Sequence, residues 1–252
     1  MSFKVVIPAR YASTRLPGKP LLDIRGKPMV AWVVEAACGS DADEVCVATD
    51  DARIVDAVKA CGSRATAMMT RVDHRSGTDR IAEVAQIRNW PADTVVVNVQ
   101  GDEPRIPVVL INQVAQLLAA DHKAHIATLC TPIHSLEEFI NTNVVKVVSA
   151  ADGTALYFSR APIPWHRDSA TAGLNSPICF DGAQRHLGIY AYRVGALMQL
   201  TRLPPGSLEM AESLEQLRAM QSGMRIVVAV AQVTPGQGVD TPEDIARVRA
   251  GA

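Results

Sequence analysis

The stretch Phe3-Lys4-Val5-Val6-Ile7-Pro8-Ala9-Arg10-Tyr11-Ala12-Ser13-Thr14-Arg15-Leu16-Pro17-Gly18-Lys19-Pro20 decides how the chain is read. Phe3 to Pro8 is a short apolar run of the kind that forms a buried strand. The twelve residues after it carry no apolar period, so Arg10, Arg15 and Lys19 fall on a loop at that strand's carboxyl end, where open α/β sheets bind ligands. One cation in a loop is equally explained by solvation; three in one loop suit a triphosphate. The loop is not a P-loop, because Lys19 is followed by Pro20 and no Ser or Thr hydroxyl is placed for a metal. It also lacks the G-x-G-x-x-G dinucleotide fingerprint. The cradle must therefore come from side-chain cations and backbone N–H groups, with any metal held by carboxylates elsewhere.

Outward from this strand the chain alternates. Helix-like periodicity covers Val30 to Ala37, Ala52 to Ala60 and Asp79 to Ile87; strand-like runs cover Glu44 to Ala48, Ala65 to Met69 and Thr94 to Val99. Such a βαβα order predicts a parallel sheet with helices on both faces. From Ala124 the pattern changes, with strand-like Ile126 to Ile133, Val144 to Ser149, Ala155 to Ser159 and His186 to Tyr192. Asp152-Gly153 between two of these is a hairpin signal. The expected fold class is α/β, a mixed and mostly parallel sheet with a small antiparallel lobe from about 125 to 195, all within one domain spanning 1–252. Gly173 to Gly182 is polar and turn-rich and reads as a mobile excursion. No internal repeat or low-complexity segment is present.

Four further loci carry chemistry. Val95 to Val99 runs into Gln100-Gly101-Asp102-Glu103-Pro104, which puts Asp102 just beyond the end of a buried strand. Asp102 could cap a helix starting near Pro107, or offer a hard oxygen to Mg²⁺. Asp240 precedes Thr241-Pro242-Glu243-Asp244, where Thr241 suits an N-cap, Pro242 the first helical position and Asp244 the third. That leaves Asp240 spare as a second metal carboxylate. Ser76-Gly77-Thr78 opens a helix and either caps it or offers N–H and hydroxyl groups to a nucleotide. Ser207 to Gln221 reads as one helix with Glu209, Glu212 and Gln216 on a shared face, as a solvated face or as acceptors for a hydroxyl-rich substrate.

Composition bounds the partners. The 252 residues are 48% hydrophobic with a net charge of −1, enough for a sizeable core and with no bulk charge to attract nucleic acid or an anionic membrane. No apolar run approaches a membrane span and Met1-Ser2-Phe3-Lys4 leads into a strand rather than a signal peptide, so a cytoplasmic protein is expected. Cys38, Cys46, Cys61, Cys130 and Cys179 form an odd set without a C-x-x-C pair and read as buried thiols of a reducing compartment.

The motifs together resemble the 3-deoxy-manno-octulosonate (KDO) cytidylyltransferase family along nearly the whole chain. They are Ile7 to Leu21 (IPARYASTRLPGKPL), Asp73 to Arg80 (DHRSGTDR), Val97 to Pro104 (VNVQGDEP), Asn143 to Val148 (NVVKVV), Ala155 to Pro164 (ALYFSRAPIP), His186 to Arg193 (HLGIYAYR) and Val239 to Asp244 (VDTPED). The resemblance implies a nucleotidyltransferase-type fold whose antiparallel lobe serves dimerisation and the sugar. It implies a homodimeric cytoplasmic enzyme of lipopolysaccharide synthesis that uses Mg²⁺ and CTP to convert KDO to CMP-KDO and pyrophosphate. By the same resemblance Arg10, Arg15 and Lys19 meet the triphosphate, Ser76 and Gly77 surround the nucleotide, and Asp102 and Asp240 hold the metal, Asp102 also touching CTP. Gln100, Arg160, His186, Tyr190, Glu212 and Gln216 fall in motifs that resemble the sugar-acid site. Arg10, Lys19, Asp102 and Asp240 are the implied catalytic set, and no general base stands out. An N-acylneuraminate cytidylyltransferase shares this chemistry; a non-enzymatic nucleotide sensor is disfavoured by the paired carboxylates.

Overall fold

A computed structural model describes residues 2–12, 16–167, 180–236 and 238–250. Strand β1 (Lys4–Ala9) lies between β4 (Glu44–Thr49) and β6 (Val95–Asn98) and is parallel to both. Strand β5 (Thr66–Met69) adds in parallel outside β4. On the other side, the ten-residue β10 (Gln184–Arg193) runs antiparallel to β6 and to β7 (Ile126–Pro132), and β11 (Ile226–Val230) closes that edge parallel to β7. The amino-terminal end of β10 also carries β8 (Lys146–Ser149), which follows the short helix α5 (Leu136–Ile140) and pairs with β9 (Ala155–Ser159). The antiparallel lobe expected for 125–195 is thus an extension of the parallel sheet along β10. The fold class read from the sequence holds: a mostly parallel mixed sheet between helical layers.

Alternation along the strands explains the two cores. Val5, Ile7, Val95 and Val97 face one side, where α1 (Met29–Cys38), α2 (Ala52–Ala60) and α4 (Val108–Ala120) cover them with Val33, Ile54 and Leu110 among others. Val6, Val96 and Cys46 face the other, under α3 (Gly77–Ile87) and α6 (Val194–Arg202) with Ile81, Val84 and Leu197. Continuous apolar strands are what burial on both faces requires. Between β6 and β7 helix α4 is a plain crossover with Pro107 at its N-cap position and no side-chain cap, so Asp102 caps nothing there.

The carboxyl end of β1 opens for a specific reason. Pro8 sits inside this central strand, where a missing N–H would normally break a ladder. It has the parity of Val6, whose carbonyl accepts from the Val99 amide, so the missing donor falls on the β6 side. Pairing with β6 accordingly ends at Val6–Asn98, whereas pairing with β4 continues to Ala9–Thr49. The chain beyond β6 still passes so close that a side chain on Gly101 would place its Cβ 2.8 Å from the Pro8 carbonyl. Gly101 is thus required by backbone packing, and it also lines the crevice described below.

A third, smaller core ties the two ends of the chain. The hairpin of β2 (Asp23–Ile24) and β3 (Lys27–Pro28) and the carboxyl-terminal helix α9 (Pro242–Ala250) pack Ile24, Met29, Ile245 and Val248 against Leu16 and Val239. Thr241 caps α9 as the sequence predicts: its Oγ1 accepts from the Asp244 amide, and the Asp244 carboxylate accepts from the amides of Thr241 and Asp240.

One element departs from the sequence reading. Ser207 to Gln221 is two short helices, α7 (Ser207–Glu212) and α8 (Gln216–Gln221), broken at Ser213, whose φ of 52° is left-handed. Glu209, Glu212 and Gln216 therefore do not share a face: Glu209 pairs with Arg218, Glu212 turns to Ser159 and Arg160, and Gln216 is buried. Leu214 and Leu217 are buried, and the break lets both pack onto the sheet. Most of the Gly173 to Gly182 excursion lies outside the described residues. Cys46 and Cys130 are buried free thiols, Cys38 and Cys61 half-buried ones, and Cys179 lies outside the described residues. No helix among the described residues is long and apolar enough to cross a membrane.

Lys146 locks the antiparallel extension. Its side chain has no solvent-exposed surface, and Nζ donates to the carbonyls of Asn141 (3.0 Å), Val144 (2.6 Å) and Arg160 (2.7 Å). Burial lowers its pKa, opposed by the charge of Glu212. Lys146→Met keeps the stem and orphans three carbonyls, each costing roughly 1–3 kcal/mol. A loss of stability of about 3 kcal/mol or more in urea titration is expected; a loss below 1 kcal/mol would show that water replaces the ammonium.

Candidate active site

The crevice past the carboxyl ends of β1 and β6 is a pocket of about 340 Å³. Arg10, Lys19, Ser76, Gln100, Asp102 and Asp240 line it, so four of the five loci picked from the sequence converge there, all but Ser207 to Gln221. Arg15 lies outside the described residues. The pocket also takes in His74, Arg75 and Arg80 from the approach to α3 and its first turn.

Lys19 is the hub. It follows Gly18 at the start of a single 3₁₀ turn, Lys19–Leu21, and its Nζ lies 2.7 Å from an Asp102 oxygen and 3.1 Å from an Asp240 oxygen. The lysine is 13% exposed, Asp102 38% and Asp240 63%, so the pair to Asp102 is the better shielded. Asp240 reaches a residue 221 positions away because α9 packs on the β2–β3 hairpin and because the Val239 amide donates to the Asp102 carbonyl at 2.9 Å. The carboxylates outnumber the ammonium. Burial pushes the neighbouring Glu103 up to about 7, with the negative charges of Asp102 and Asp240 adding to the effect.

Donor chemistry allows a metal here. Two hard carboxylate oxygens held around one ammonium, at the edge of a pocket otherwise lined by Arg10, Arg75 and Arg80, fit Mg²⁺, which binds through one or two carboxylates plus phosphate oxygens. Among the described residues no cluster of three or more His, Cys, Asp or Glu side chains could serve as a complete protein cage. Phosphate oxygens would have to complete the shell.

The start of α3 serves as a cap. Ser76 Oγ accepts from the Asp79 amide while the Asp79 carboxylate accepts from the Ser76 amide, a capping box. The same hydroxyl and Thr78 Oγ1 donate to the carboxylate of Glu215, at 3.1 and 2.6 Å. Burial raises the Glu215 pKa and these hydroxyls lower it. The Ser76 hydroxyl is therefore already committed, and the segment lines the pocket as a braced helix start. Glu215, between two core leucines, gave no local signal in the sequence.

The residues expected at the sugar divide into three places. Gln100 lines the pocket, its Nε2 3.5 Å from the Gly188 carbonyl. His186 and Tyr190, on β10 at a bulge, have rings 5.2 Å apart, and Tyr190 and Gln216 line a separate cavity of about 140 Å³ with Tyr192 and Glu215. Arg160 and Glu212 satisfy each other: Glu212 accepts from the Arg160 amide at 2.9 Å and from Ser159 Oγ at 2.6 Å, and the guanidinium donates to the carbonyls of Glu212 and Thr142. Arg160 thus joins β9 to α7 and is not among the residues lining the Lys19 pocket. Burial pushes His186 down to about 3, and its Nε2 lies 3.0 Å from Thr128 Oγ1. Its imidazole is neutral at physiological pH and is too weak a base to take a proton from a sugar hydroxyl.

The arrangement therefore joins cations for a polyanion, carboxylates for a metal and a braced helix start at the mouth of an α/β sheet. A family model described as cytidylyltransferase matches residues 4–226. A solved structure of CMP:2-keto-3-deoxy-manno-octonic acid synthetase complexed with CTP is similar over 99% of this chain and 97% of that one, with 45% sequence identity and a TM-score of 0.87. A cytidylyltransferase from Leptospira borgpetersenii serovar Hardjo-bovis matches over 99% of this chain and 85% of its own, with 14% identity and a TM-score of 0.61, a likeness of fold alone. On these grounds the chain belongs to the cytidylyltransferase family, in the branch that includes CMP:2-keto-3-deoxy-manno-octonic acid synthetase.

Proposed function

We propose that the protein transfers CMP from CTP to the anomeric hydroxyl of KDO, releasing pyrophosphate, with Mg²⁺ as cofactor. The observation that carries this reading is Lys19 held between Asp102 and Asp240 in a cationic pocket. The 45% identity with a synthetase complexed with CTP supports the choice of nucleotide and sugar acid. The pairing of two copies, the cytoplasmic setting and the place in lipopolysaccharide synthesis are proposed on that relationship as well.

In the reaction the anomeric oxygen forms a bond to the α-phosphorus of CTP as the bond from that phosphorus to the bridging oxygen of pyrophosphate breaks, and the hydroxyl proton passes to solvent. Charge grows on the leaving pyrophosphate. Arg10 and Lys19 stand at the two ends of the phosphate loop and meet that charge. Lys19 is the more consequential: it is already desolvated and already fixed by two carboxylates, so it needs little reorganisation when phosphate arrives. Asp102 and Asp240 would hold Mg²⁺, which when bound neutralises the triphosphate and acidifies the attacking hydroxyl. Gln100, on the β10 side of the crevice, is the pocket residue placed to meet the sugar acid; His186, Tyr190 and Gln216 are proposed to shape its far wall, with Arg160 and Glu212 fixing the element behind them.

Three outcomes test this. Pyrophosphate release with CTP and KDO should exceed that with CTP and N-acylneuraminate by at least about 10²-fold, the scale of a site built around one substrate's polar groups; equal rates would overturn the sugar assignment. Lys19→Ala should lower kcat by roughly 10²-fold or more. Unchanged kcat with only a raised KM for CTP would limit Lys19 to ground-state binding. Asp102→Asn and Asp240→Asn should each raise the Mg²⁺ concentration needed for half-maximal rate, and the double variant should be hardly slower than the worse single one, because both act on one ion. Multiplicative losses would show that the two carboxylates do separate work.

A further inference from the structure

Tyr11 is clamped on every side, and the clamp closes the loop that separates Arg10 from Lys19. Its amide donates to Asp50 Oδ1 at 3.0 Å, and its carbonyl accepts from the Gly18 amide at 3.1 Å. Gly18 has a left-handed φ of 70°, and any Cβ there would fall 3.1–3.2 Å from the Tyr11 ring and hydroxyl, so the ring lies flush on that backbone. On the ring itself the Arg53 guanidinium carbon stands 3.6 Å from the centroid, within cation–π range.

The anchor behind the clamp is rigid. Asp50, just past β4, gives its second oxygen to Arg80 at 2.9 Å, and the two side chains are 12% and 4% exposed. Arg80 also donates to Thr70 Oγ1, whose hydroxyl and amide both donate to the Thr49 carbonyl. The Tyr11 amide is thereby tied to the ends of β4 and β5 and to α3, while Arg10 sits one residue before the clamp and Lys19 one residue after it.

We propose that Tyr11 is a positioning residue for Lys19: by holding the Tyr11–Gly18 closure against the buried Asp50–Arg80 pair, it sets where the Lys19 ammonium stands. This rests on the reading of Lys19 as a phosphate partner given above. Tyr11 itself is not among the residues lining the pocket, although its anchor Arg80 is; the effect of Tyr11 runs through the position of one nitrogen, where an error near 1 Å can cost about 10²-fold in rate.

The test is a cycle of Tyr11→Ala and Lys19→Ala in the full chain, read as kcat for pyrophosphate release and as melting temperature without ligand. Tyr11→Ala should lower kcat by about tenfold or more while the melting temperature moves by only a few degrees, and Tyr11→Phe should restore kcat to within about twofold. Added to Lys19→Ala, Tyr11→Ala should cost less than about twofold more, because the group it positions is gone. Gly18→Ala is the second variant, expected to reproduce the loss by pushing the ring away should Tyr11→Ala fail to fold. Multiplicative losses, a Tyr11→Phe variant as slow as Tyr11→Ala, or wild-type kcat in both Tyr11→Ala and Gly18→Ala would overturn the clamp alone. Wild-type kcat in Lys19→Ala would instead overturn the phosphate reading beneath it.

Discussion

The parting of β6 from β1 beyond Val6 is the constraint on which the site depends. Pro8 offers no N–H to β6, so the ladder ends there, two residues before Arg10, while β4 continues alongside to Thr49. A crevice must open at that point, and its walls are the segments leaving β1 and β6 and the start of α3. Most of the polar groups in the pocket are supplied by chain that has just left a strand or is entering a helix. Such positions are rigid because the element behind them is, and polar because the element has ended. Gly101 marks how tight the arrangement is, since its backbone rests on the Pro8 carbonyl.

Charge is arranged in pairs that differ in purpose. Asp50 and Arg80 are almost wholly enclosed, and each also bonds to a neutral group, so their desolvation is offset and the pair can act as a fixed point. Lys19 with Asp102 and Asp240 is more open and is unbalanced, with two carboxylates to one ammonium and a third carboxyl, Glu103, held near neutrality beside them. A structural pair is complete as it stands. The Lys19 group carries a surplus of negative charge, which the proposed Mg²⁺ would offset, and that imbalance supports reading it as the reactive centre.

The interior polar groups around Glu215 show how the two sides of the enzyme are connected. One carboxylate, at the start of α8, accepts from Ser76 and Thr78 at the start of α3, and shares a small cavity with Tyr190, Tyr192 and Gln216. The helix start lining the Lys19 pocket and the strand proposed to line the sugar are therefore braced by a common residue. Ser213 makes this possible: had 207–221 continued as one helix, Leu214, Glu215 and Leu217 could not all turn to the sheet.

The sequence by itself determined the parallel half of the fold and the loci of the site. Runs such as Val95 to Val97 are apolar on both faces, Ala52 to Ala60 has a clean helical period, and loops rich in Arg, Lys, Asp and Gly follow strands; each of these signals is local. Thr241 as a cap, and Asp240 left spare before it, were legible for the same reason. Only the tertiary structure decided that Asp240 comes to Lys19 rather than staying at a distant helix, that Arg160 spends its guanidinium on backbone carbonyls, and that the Ser76 hydroxyl belongs to Glu215. Those outcomes depend on α9 folding back onto the β2–β3 hairpin and on α8 turning at Ser213. Both are set by which apolar faces find each other across more than a hundred residues, and no window of local sequence carries that free energy.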